Sequence, residues 1–308
     1  MENEKLHQSR RDFVKQSTML AGGIMAMPLM SNAGYFNSVD DTIKVAVIGC
    51  GGRGTGAAMQ ALSTKQNVKL VAMADAFRDR LDSSYKALMN GDEGDVKDRM
   101  AVTEETKFVG FDAYKKVIPL CDVVIIATPP GFRPIHFEEA INQGKHVFME
   151  KPLATDPAGV KKILEVAEVA KKKKLNVVVG LQRHYQTSYR ELYKRVQDGM
   201  IGDITSGQVY WNSDGVWVRP RQAGQTEMEY QMRNWYYFNW LCGDHITEQH
   251  IHNLDVMNWF KGAYPVKAQG LGGRQVRTGK EFGEIYDHHF VEYTYADGTI
   301  MNSQCRHI

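Results

Sequence analysis

The chain has 308 residues, of which 43% are hydrophobic and 24% are charged. This composition excludes disordered, collagen-like and coiled-coil proteins, and the net charge of +2 provides no electrostatic basis for binding nucleic acid. The length favours two domains. We expect the four widely spaced cysteines to be buried core residues, because their spacing fits neither a disulfide framework nor a zinc finger.

The first 33 residues have the layout of an export signal. The pair Arg10-Arg11 precedes an apolar stretch from Met19 to Met30, and a signal peptidase could cut at the small residues 31–33. A membrane span needs about 20 apolar residues. The pattern therefore predicts export of the twin-arginine type to the periplasm, without a stable membrane anchor. The alternative is an ordinary basic amphipathic N-terminus.

Residues 41–182 alternate between strands and helices. Apolar stretches at 43–48, 68–73 and 122–127, with shorter ones at 146–149 and 176–179, are separated by helical segments. Such alternation with short connections predicts an α/β domain built on a doubly wound parallel sheet.

The turn after the first strand carries the sequence G-C-G-G-R-G, which fits the G-x-G-x-x-G pattern of dinucleotide-binding Rossmann domains. Asp75 ends the second strand, where a carboxylate accepts hydrogen bonds from both ribose hydroxyls. NAD is therefore favoured over NADP, although Arg78 lies close enough to weaken that preference. The alternative is a glycine-rich turn that binds nothing. The cofactor-binding residues predicted in this turn are Gly49, Gly51, Gly52, Arg53 and Gly54.

Two further stretches follow strands at the same edge of the sheet. Thr128 and Pro129 follow the stretch 122–127, and Glu150 and Lys151 follow the stretch 146–149. Ligands bind at the carboxyl edge of such sheets, so we predict that these four residues line the cofactor cleft. The alternative for Lys151 is a surface lysine in a loop.

The glycine turn, Asp75, Ala127-Thr128-Pro129 and Glu150-Lys151-Pro152-Leu153 together resemble the Gfo/Idh/MocA family. This family comprises nicotinamide-dependent enzymes of the glucose–fructose oxidoreductase and inositol dehydrogenase type. The resemblance covers roughly Ile43 to the chain end. It implies that Lys151 contacts the reacting hydroxyl group of the substrate.

Residues 183–308 are predicted to form an α+β substrate-binding domain with a largely antiparallel sheet. Strand patterns occur at 204–212, 266–276, 286–295 and 299–305, and Asp297-Gly298 between the last two is a hairpin signal. The resemblance implies a longer domain, so we expect the sheet to be incomplete at its C-terminus. It also implies association into a homo-oligomer through this sheet.

Residues 243–255 contain three histidines and several acids. At helical spacing His245, Glu248, His252 and Asp255 share one face. The resemblance matches the last three to an acid–His–acid pattern, with Glu248 in place of the usual aspartate. It implies that His252 is the general base and that Glu248 orients it, while we expect His245 and Asp255 to bind substrate. One alternative is structural histidines.

A zinc site on His245, Glu248 and His252 is a second alternative for this segment. The sequence matches neither HExxH nor its reverse, so we predict no bound metal. Tyr236 and Trp240 precede the segment and suit a carbohydrate ring, and Arg183 lies where the two domains meet. An aromatic core segment is the alternative for the first two.

These features predict an exported oxidoreductase that transfers a hydride between a sugar, cyclitol or glycoside and a tightly bound NAD. The resemblance, together with the aromatic and amide groups of residues 233–240, implies a small carbohydrate as its partner. One alternative is an NAD-requiring glycoside hydrolase that oxidises its sugar transiently. The other is a non-catalytic dinucleotide-binding protein.

Overall fold

The first sheet follows directly from the apolar stretches of the N-terminal half. The computed structural model describes residues 41–91 and 95–308, so the predicted export signal at 1–33 lies outside the described residues. The sheet is parallel, in the order β3-β2-β1-β4-β5-β6. Its strands are β1 Ile43–Ile48, β2 Val68–Asp75, β3 Lys107–Val109, β4 Val123–Ile126, β5 His146–Met149 and β6 Val177–Val179.

Helices cover both faces of this sheet, as the apolar strands require. Along β1, Ala46 and Ile48 face one hydrophobic cluster, while Val45 and Val47 face another. From β1 the strand order continues through β2 to β3 on one side, and from β4 it continues through β5 to β6 on the other. This reversal opens a crevice at the carboxyl ends of β1 and β4. The doubly wound prediction is confirmed. The helices are α1 Gly52–Leu62, α2 Arg78–Asn90, α3 Ala113–Val117, α4 Arg133–Asn142 and α5 Pro157–Lys172.

The second sheet has the order β7-β10-β9-β8. Strands β8 and β9 and strands β9 and β10 pair antiparallel, whereas β10 and β7 pair parallel. The hairpin predicted at Asp297-Gly298 joins β9 to β10, with Gly298 at φ 84°. The α+β prediction is confirmed, with one parallel pairing added. The strands are β7 Ser206–Ser213, β8 Lys267–Gly273, β9 His288–Thr294 and β10 Ile300–His307.

Among the α-helices of this half, one precedes β7 and the others lie between β7 and β8 in sequence. They are α6 Thr187–Gln197, α7 Glu227–Arg233, α8 Asn239–Cys242, α9 Asp244–Glu248 and α10 Ile251–Lys261. Residues 42–308 form one compact unit. No helix within the described ranges combines the length and hydropathy that crossing a bilayer requires.

The prediction of one continuous helix face over 245–255 is wrong. Helix α9 ends at Glu248 and α10 begins at Ile251. The break allows the side chain of His250 to reach the sheet, where its Nε2 lies 2.8 Å from Ser303 Oγ. His245 and His252 therefore do not share a face. The cysteine prediction is confirmed, because all four are buried and free.

Candidate active site

Two glycines of the turn pack tightly against neighbouring backbone, and two others face open space. Gly49 has φ 94°, and a Cβ there would lie 2.6 Å from the carbonyl carbon of Ala127. A Cβ at Gly54 would overlap the carbonyl oxygen of Gly49. Around Gly51 and Gly52, in contrast, no atom of the described residues lies within 4 Å of such a Cβ. The free N–H groups at the start of α1 thus face open space, as pyrophosphate binding requires.

Asp75 is fixed beside this turn by two backbone donors. Its Oδ2 accepts a hydrogen bond from Cys50 N at 2.7 Å, and its Oδ1 accepts one from Phe77 N at 2.8 Å. Burial raises the pKa of Asp75, and the two backbone hydrogen bonds oppose that shift. Each oxygen keeps a second lone pair for a ribose hydroxyl. Arg78, which sequence suggested as a competitor, instead pairs with Asp82 and Glu104.

A cavity of about 340 Å³ connects the glycine turn, Asp75, Thr128 and Pro129. This volume is in the range of small-molecule sites, and the residues present fit a bound dinucleotide. Its opposite wall comes from the second half of the chain. We call the following residues the 217–235 wall: Trp217, Arg219, Met232, Arg233 and Trp235.

An ion pair joins the 217–235 wall to the first half. Arg233 Nη1 and Nη2 each lie 3.0 Å from an oxygen of Asp79, and its guanidinium lies 4.1 Å from the Phe77 ring centroid. Sequence reasoning missed this wall. The only local signal was an arginine-rich aromatic segment, and nothing in it indicates a contact with residue 79.

Lys151 and Glu248 form a buried ion pair across the two halves. Lys151 Nζ lies 3.1 Å from Glu248 Oε1 and also donates to the backbone oxygen of Glu248. The side chains are only 12% and 8% exposed. Burial raises the pKa of Glu248, and the charge and hydrogen bond of Lys151 oppose that shift. Two of the three residues predicted to be catalytic are therefore in direct contact.

Glu150 is buried next to this pair and is surrounded by arginines. Arg53 Nε lies 2.7 Å from its Oε1, an ion pair without hydrogen-bond alignment. Arg133, which sequence reasoning missed, is buried and donates to the backbone oxygen of Pro152. Burial lowers the pKa of Arg133 to about 10, while the charges of Glu248 and Glu150 oppose this. Arg133 therefore stays charged and helps to hold both carboxylates.

His252 is a buried neutral imidazole. Burial, followed by the charges of Lys151 and Arg183, lowers its pKa to about 4. The Nδ1 atom of His252 has no hydrogen-bond partner among the described residues. The centroids of the His252 and Trp211 rings lie 6.1 Å apart. Near neutral pH the ring is therefore unprotonated, and it is a weaker base than an ordinary imidazole. His252 and the Lys151 pair lie outside the lining of the 340 Å³ cavity.

Arg183 and Asp255 lie in contacts around α10. Arg183 Nη1 donates to Asn253 Oδ1. Asp255 Oδ2 lies 2.7 Å from His184 Nε2, and the His184 ring stacks on Trp259 with centroids 4.2 Å apart. Their contact with substrate stays a prediction.

The remaining predicted substrate residues are spread more widely. His245 is fully buried, with Nδ1 2.8 Å from Asp244 Oδ1. Tyr236 is 2% exposed and its hydroxyl faces the His307 ring, which fits the core alternative. Trp240 is partly exposed, and its Nε1 donates to Gln231 Oε1 at 2.7 Å.

The zinc alternative on His245, Glu248 and His252 does not fit the structure. Helix α9 ends between the last two residues, and Glu248 pairs with Lys151 instead. His245 faces Asp244.

Comparison with known proteins identifies the first half. Residues 43–181 match the GFO_IDH_MocA model, described as "Oxidoreductase family, NAD-binding Rossmann fold". The chain is similar to the inositol 2-dehydrogenase of Burkholderia cenocepacia, with 29% identity over 77% of this chain and 59% of the relative. It is also similar to the inositol 2-dehydrogenase of Gluconacetobacter diazotrophicus, with 31% identity over 55% of this chain and 43% of the relative.

A solved structure extends the likeness to the second sheet. The myo-inositol 2-dehydrogenase from Lactobacillus plantarum matches with a TM-score of 0.63 and 25% identity, over 85% of this chain and 69% of that one. The chain spans about half the length of the two curated relatives. The match to the Gfo/Idh/MocA model covers residues 43–181, and the dinucleotide-binding fold predicted from the glycine turn and Asp75 agrees with the NAD-binding Rossmann fold that the model describes.

Proposed function

We propose that the protein is an NAD-dependent oxidoreductase that acts on a secondary hydroxyl group of a cyclitol or sugar. The observation that carries the proposal is the buried contact between Lys151 and Glu248 at the carboxyl edge of an NAD-binding sheet. A lysine at such an edge, held by a carboxylate from the other half of the chain, has no evident role in the fold alone. The neutral imidazole of His252 on the next helix supplies a base.

In the proposed reaction the substrate loses a proton from its hydroxyl group and a hydride from the carbinol carbon. A bound NAD, held by the glycine turn and Asp75, would supply the hydride acceptor for the carbinol carbon. His252 accepts the hydroxyl proton, and Lys151 donates a hydrogen bond to the same oxygen as negative charge develops on it. Glu248 keeps the lysine ammonium in place. The carbonyl product, reduced cofactor and imidazolium balance the atoms and charges of the reactants.

The substrate class is proposed from two sources. The relatives named above are inositol dehydrogenases, and a cyclitol carries several adjacent hydroxyl groups. Around α10, polar side chains of Arg183, Asn253 and His184 offer donors and acceptors at successive positions. The indole of Trp211 beside His252 offers an apolar face to a sugar or cyclitol ring.

The test is a direct assay of the purified full chain. We would first denature it and quantify any NAD or NADH released, and then supply NAD with a panel of cyclitols, aldoses and aryl glycosides. The proposal expects reduced nicotinamide to form with at least one cyclitol or aldose, and Lys151→Met to abolish turnover while NAD still binds. Unchanged turnover in Lys151→Met contradicts the proposal.

A second candidate function is supported by the 217–235 wall. The wall faces the glycine turn across the cofactor cavity, and Arg233 binds Asp79 beside it. A cofactor enclosed in this way favours retention through many turnovers. Retained NAD fits either the coupled oxidation and reduction of two sugars or a glycosidase that oxidises its sugar transiently. Net glycoside cleavage without net NAD reduction would identify the glycosidase.

Retention itself can be measured through the ion pair. Asp79→Asn should speed NAD release up to about fivefold, because a partly exposed ion pair contributes at most about 1 kcal/mol. Glu227→Gln is the matched control, since it breaks the pair with Arg221 outside the cavity lining. Stopped-flow displacement of bound NADH measures both rates. Equal release from parent and Asp79→Asn contradicts a closing role for the pair.

We also propose self-association through the outer face of the second sheet. Tyr210, Phe290 and Leu271 lie in one row across β7, β9 and β8, with Gln304 of β10 between the first two. The three apolar side chains are exposed, which supports a covered face. Light scattering of the parent and of Phe290→Ser tests this, and a monomeric parent contradicts it.

Export through residues 1–33 is proposed from Arg10-Arg11 and the apolar stretch that follows. Fused to a reporter, residues 1–33 should direct it out of the cytoplasm, and replacement of both arginines by lysine should retain it inside. Equal export of the two fusions contradicts the twin-arginine assignment.

A further inference from the structure

A carboxylate and two imidazoles converge between helix α9 and the inner face of the second sheet. Among the described residues, Asp244, His245 and His289 form a group in which one ligand atom of each residue lies within 4.8 Å of the others. Asp244 and His245 begin α9, and His289 lies in β9 opposite Cys305. Neither the proposed reaction nor the NAD cavity uses these side chains.

The distances in this group suit a metal ion. Asp244 Oδ1 lies 3.3 Å from His289 Nε2. Two ligand atoms that are each about 2.0–2.1 Å from a tetrahedral zinc ion are about 3.3 Å apart. His245 Nδ1 lies 2.8 Å from the same oxygen, so its imidazole would move outward by roughly half an ångström to complete the site.

Hydrogen bonds orient the carboxylate and leave one imidazole nitrogen of the group unpaired. Asp244 Oδ2 accepts a hydrogen bond from Tyr286 N at 2.8 Å, and Oδ1 accepts one from the backbone N of His245 and lies 2.8 Å from His245 Nδ1, a contact that a bound ion would replace. His289 Nε2 is buried and makes no hydrogen bond within the part of the chain that the structure describes. Burying a nitrogen in this way costs about 1–3 kcal/mol unless another partner binds it.

Neighbouring rings define the boundary of the group. On one side, the Tyr286 ring centroid lies 5.4 Å from the His289 ring centroid. On the other side, the His307 ring stacks on His245 with centroids 4.3 Å apart. Both nitrogens of His307 face the Tyr236 hydroxyl, so we assign no ligand role to His307.

We propose that Asp244, His245 and His289 bind a divalent transition-metal ion. Two imidazoles and one carboxylate are the protein ligands of a common class of zinc site that keeps a fourth position for water. The ion would link α9 to β9. Because α9 ends at Glu248, the same link would hold the carboxylate that pairs with Lys151.

The test measures metal binding by the full chain and does not depend on activity. The purified protein is stripped with a chelator, dialysed, and titrated with ZnCl₂ and separately with CoCl₂. We expect about one ion per chain and visible Co²⁺ absorption. Asp244→Asn and His289→Gln should each lower zinc affinity more than about tenfold, since even outer partners of a metal ligand contribute 10- to 100-fold.

A matched control is available in the same layer. His250 is fully buried and bonds Ser303, whereas the His289 side chain is 14% exposed, so His250→Gln should keep the parent's zinc affinity. NAD binding by every variant checks the fold. The proposal is overturned if the parent binds no zinc or cobalt, if His289→Gln binds zinc as tightly as the parent, or if His250→Gln loses as much affinity as His289→Gln.

Discussion

Replacing Lys151 by methionine removes the cation from a buried ion pair while keeping the length of the side chain. Glu248 would then be a buried carboxylate without its ammonium partner, because the two side chains are 12% and 8% exposed. Breaking one side of a buried pair costs about 3–5 kcal/mol. We therefore expect Lys151→Met to lower the free energy of unfolding by about that amount, in addition to abolishing turnover.

A double variant separates the charge from the lost contact. In Lys151→Met with Glu248→Gln no unpaired charge remains, although the backbone oxygen of Glu248 still lacks the donor that Lys151 provides. The loss should shrink to about 1–2 kcal/mol. Lys162→Met is the matched control, because both side chains of the Lys162–Glu138 pair are exposed. This substitution should change the free energy of unfolding much less.

The pH dependence gives an independent readout. Burial already raises the pKa of Glu248, and without Lys151 the opposing charge and hydrogen bond are gone. An acid whose pKa is raised on folding destabilises the fold when it is ionised. The difference in free energy of unfolding between the parent and Lys151→Met is therefore largest at neutral pH. It should shrink as pH falls toward about 4.3, the unfolded value.

The assay is urea unfolding of the parent and the three variants, followed by circular dichroism, without added NAD. A single Lys151→Met variant as stable as the parent, or a double variant no more stable than that single variant, would refute the buried pair as the source of the effect.

Two further predictions concern the glycine turn and acid stability. Gly54→Ala should lower the free energy of unfolding by about 3 kcal/mol, because its Cβ meets the rigid carbonyl of Gly49; Gly52→Ala should leave stability intact and weaken only NAD binding, and equal stability losses in urea would contradict the geometry. Acid should also destabilise the fold, because several histidines have pKa values that are lowered on folding. Their effect on the free energy of unfolding is absent above about pH 6.5 and grows as the pH falls toward 4. The free energy of unfolding should fall by up to about 1.4 kcal/mol per pH unit for each proton taken up on unfolding. Urea unfolding across this pH range measures the effect, and a flat profile would show that these rings are not buried as described. The pKa values concerned are about 3 for His136 and His307 and about 4 for His250 and His252.

The cofactor side of the molecule could be predicted from sequence because its signals are local. A strand, a glycine turn and a helix succeed one another within 20 residues, and Asp75 falls at the end of the next strand. Each of these features is set by hydrophobic period or by backbone sterics, which neighbouring residues determine. Strand β3 was missed because three residues are too short to show a period.

The other side depends on contacts between distant residues. Arg233 pairs with Asp79, which lies 154 positions earlier in the sequence. No pattern near either residue indicates its partner. The helix break after Glu248 accompanies the bond between His250 and Ser303, a contact that only the folded sheet brings into reach. A charged residue such as Arg133 is also a poor candidate for burial from sequence alone, since arginine is almost never fully buried unless paired.

The pairing of Lys151 with Glu248 also limits how this sequence can diverge. A single substitution at either position leaves the opposite charge stranded in a dry environment, while simultaneous neutral replacements do not. Viable lineages are thus separated by an unfit intermediate. The charge of Arg133 also stabilises Glu248, so it partly compensates for the loss of Lys151. Among relatives we expect positions 151 and 248 to covary as one unit, with position 133 changing only after both.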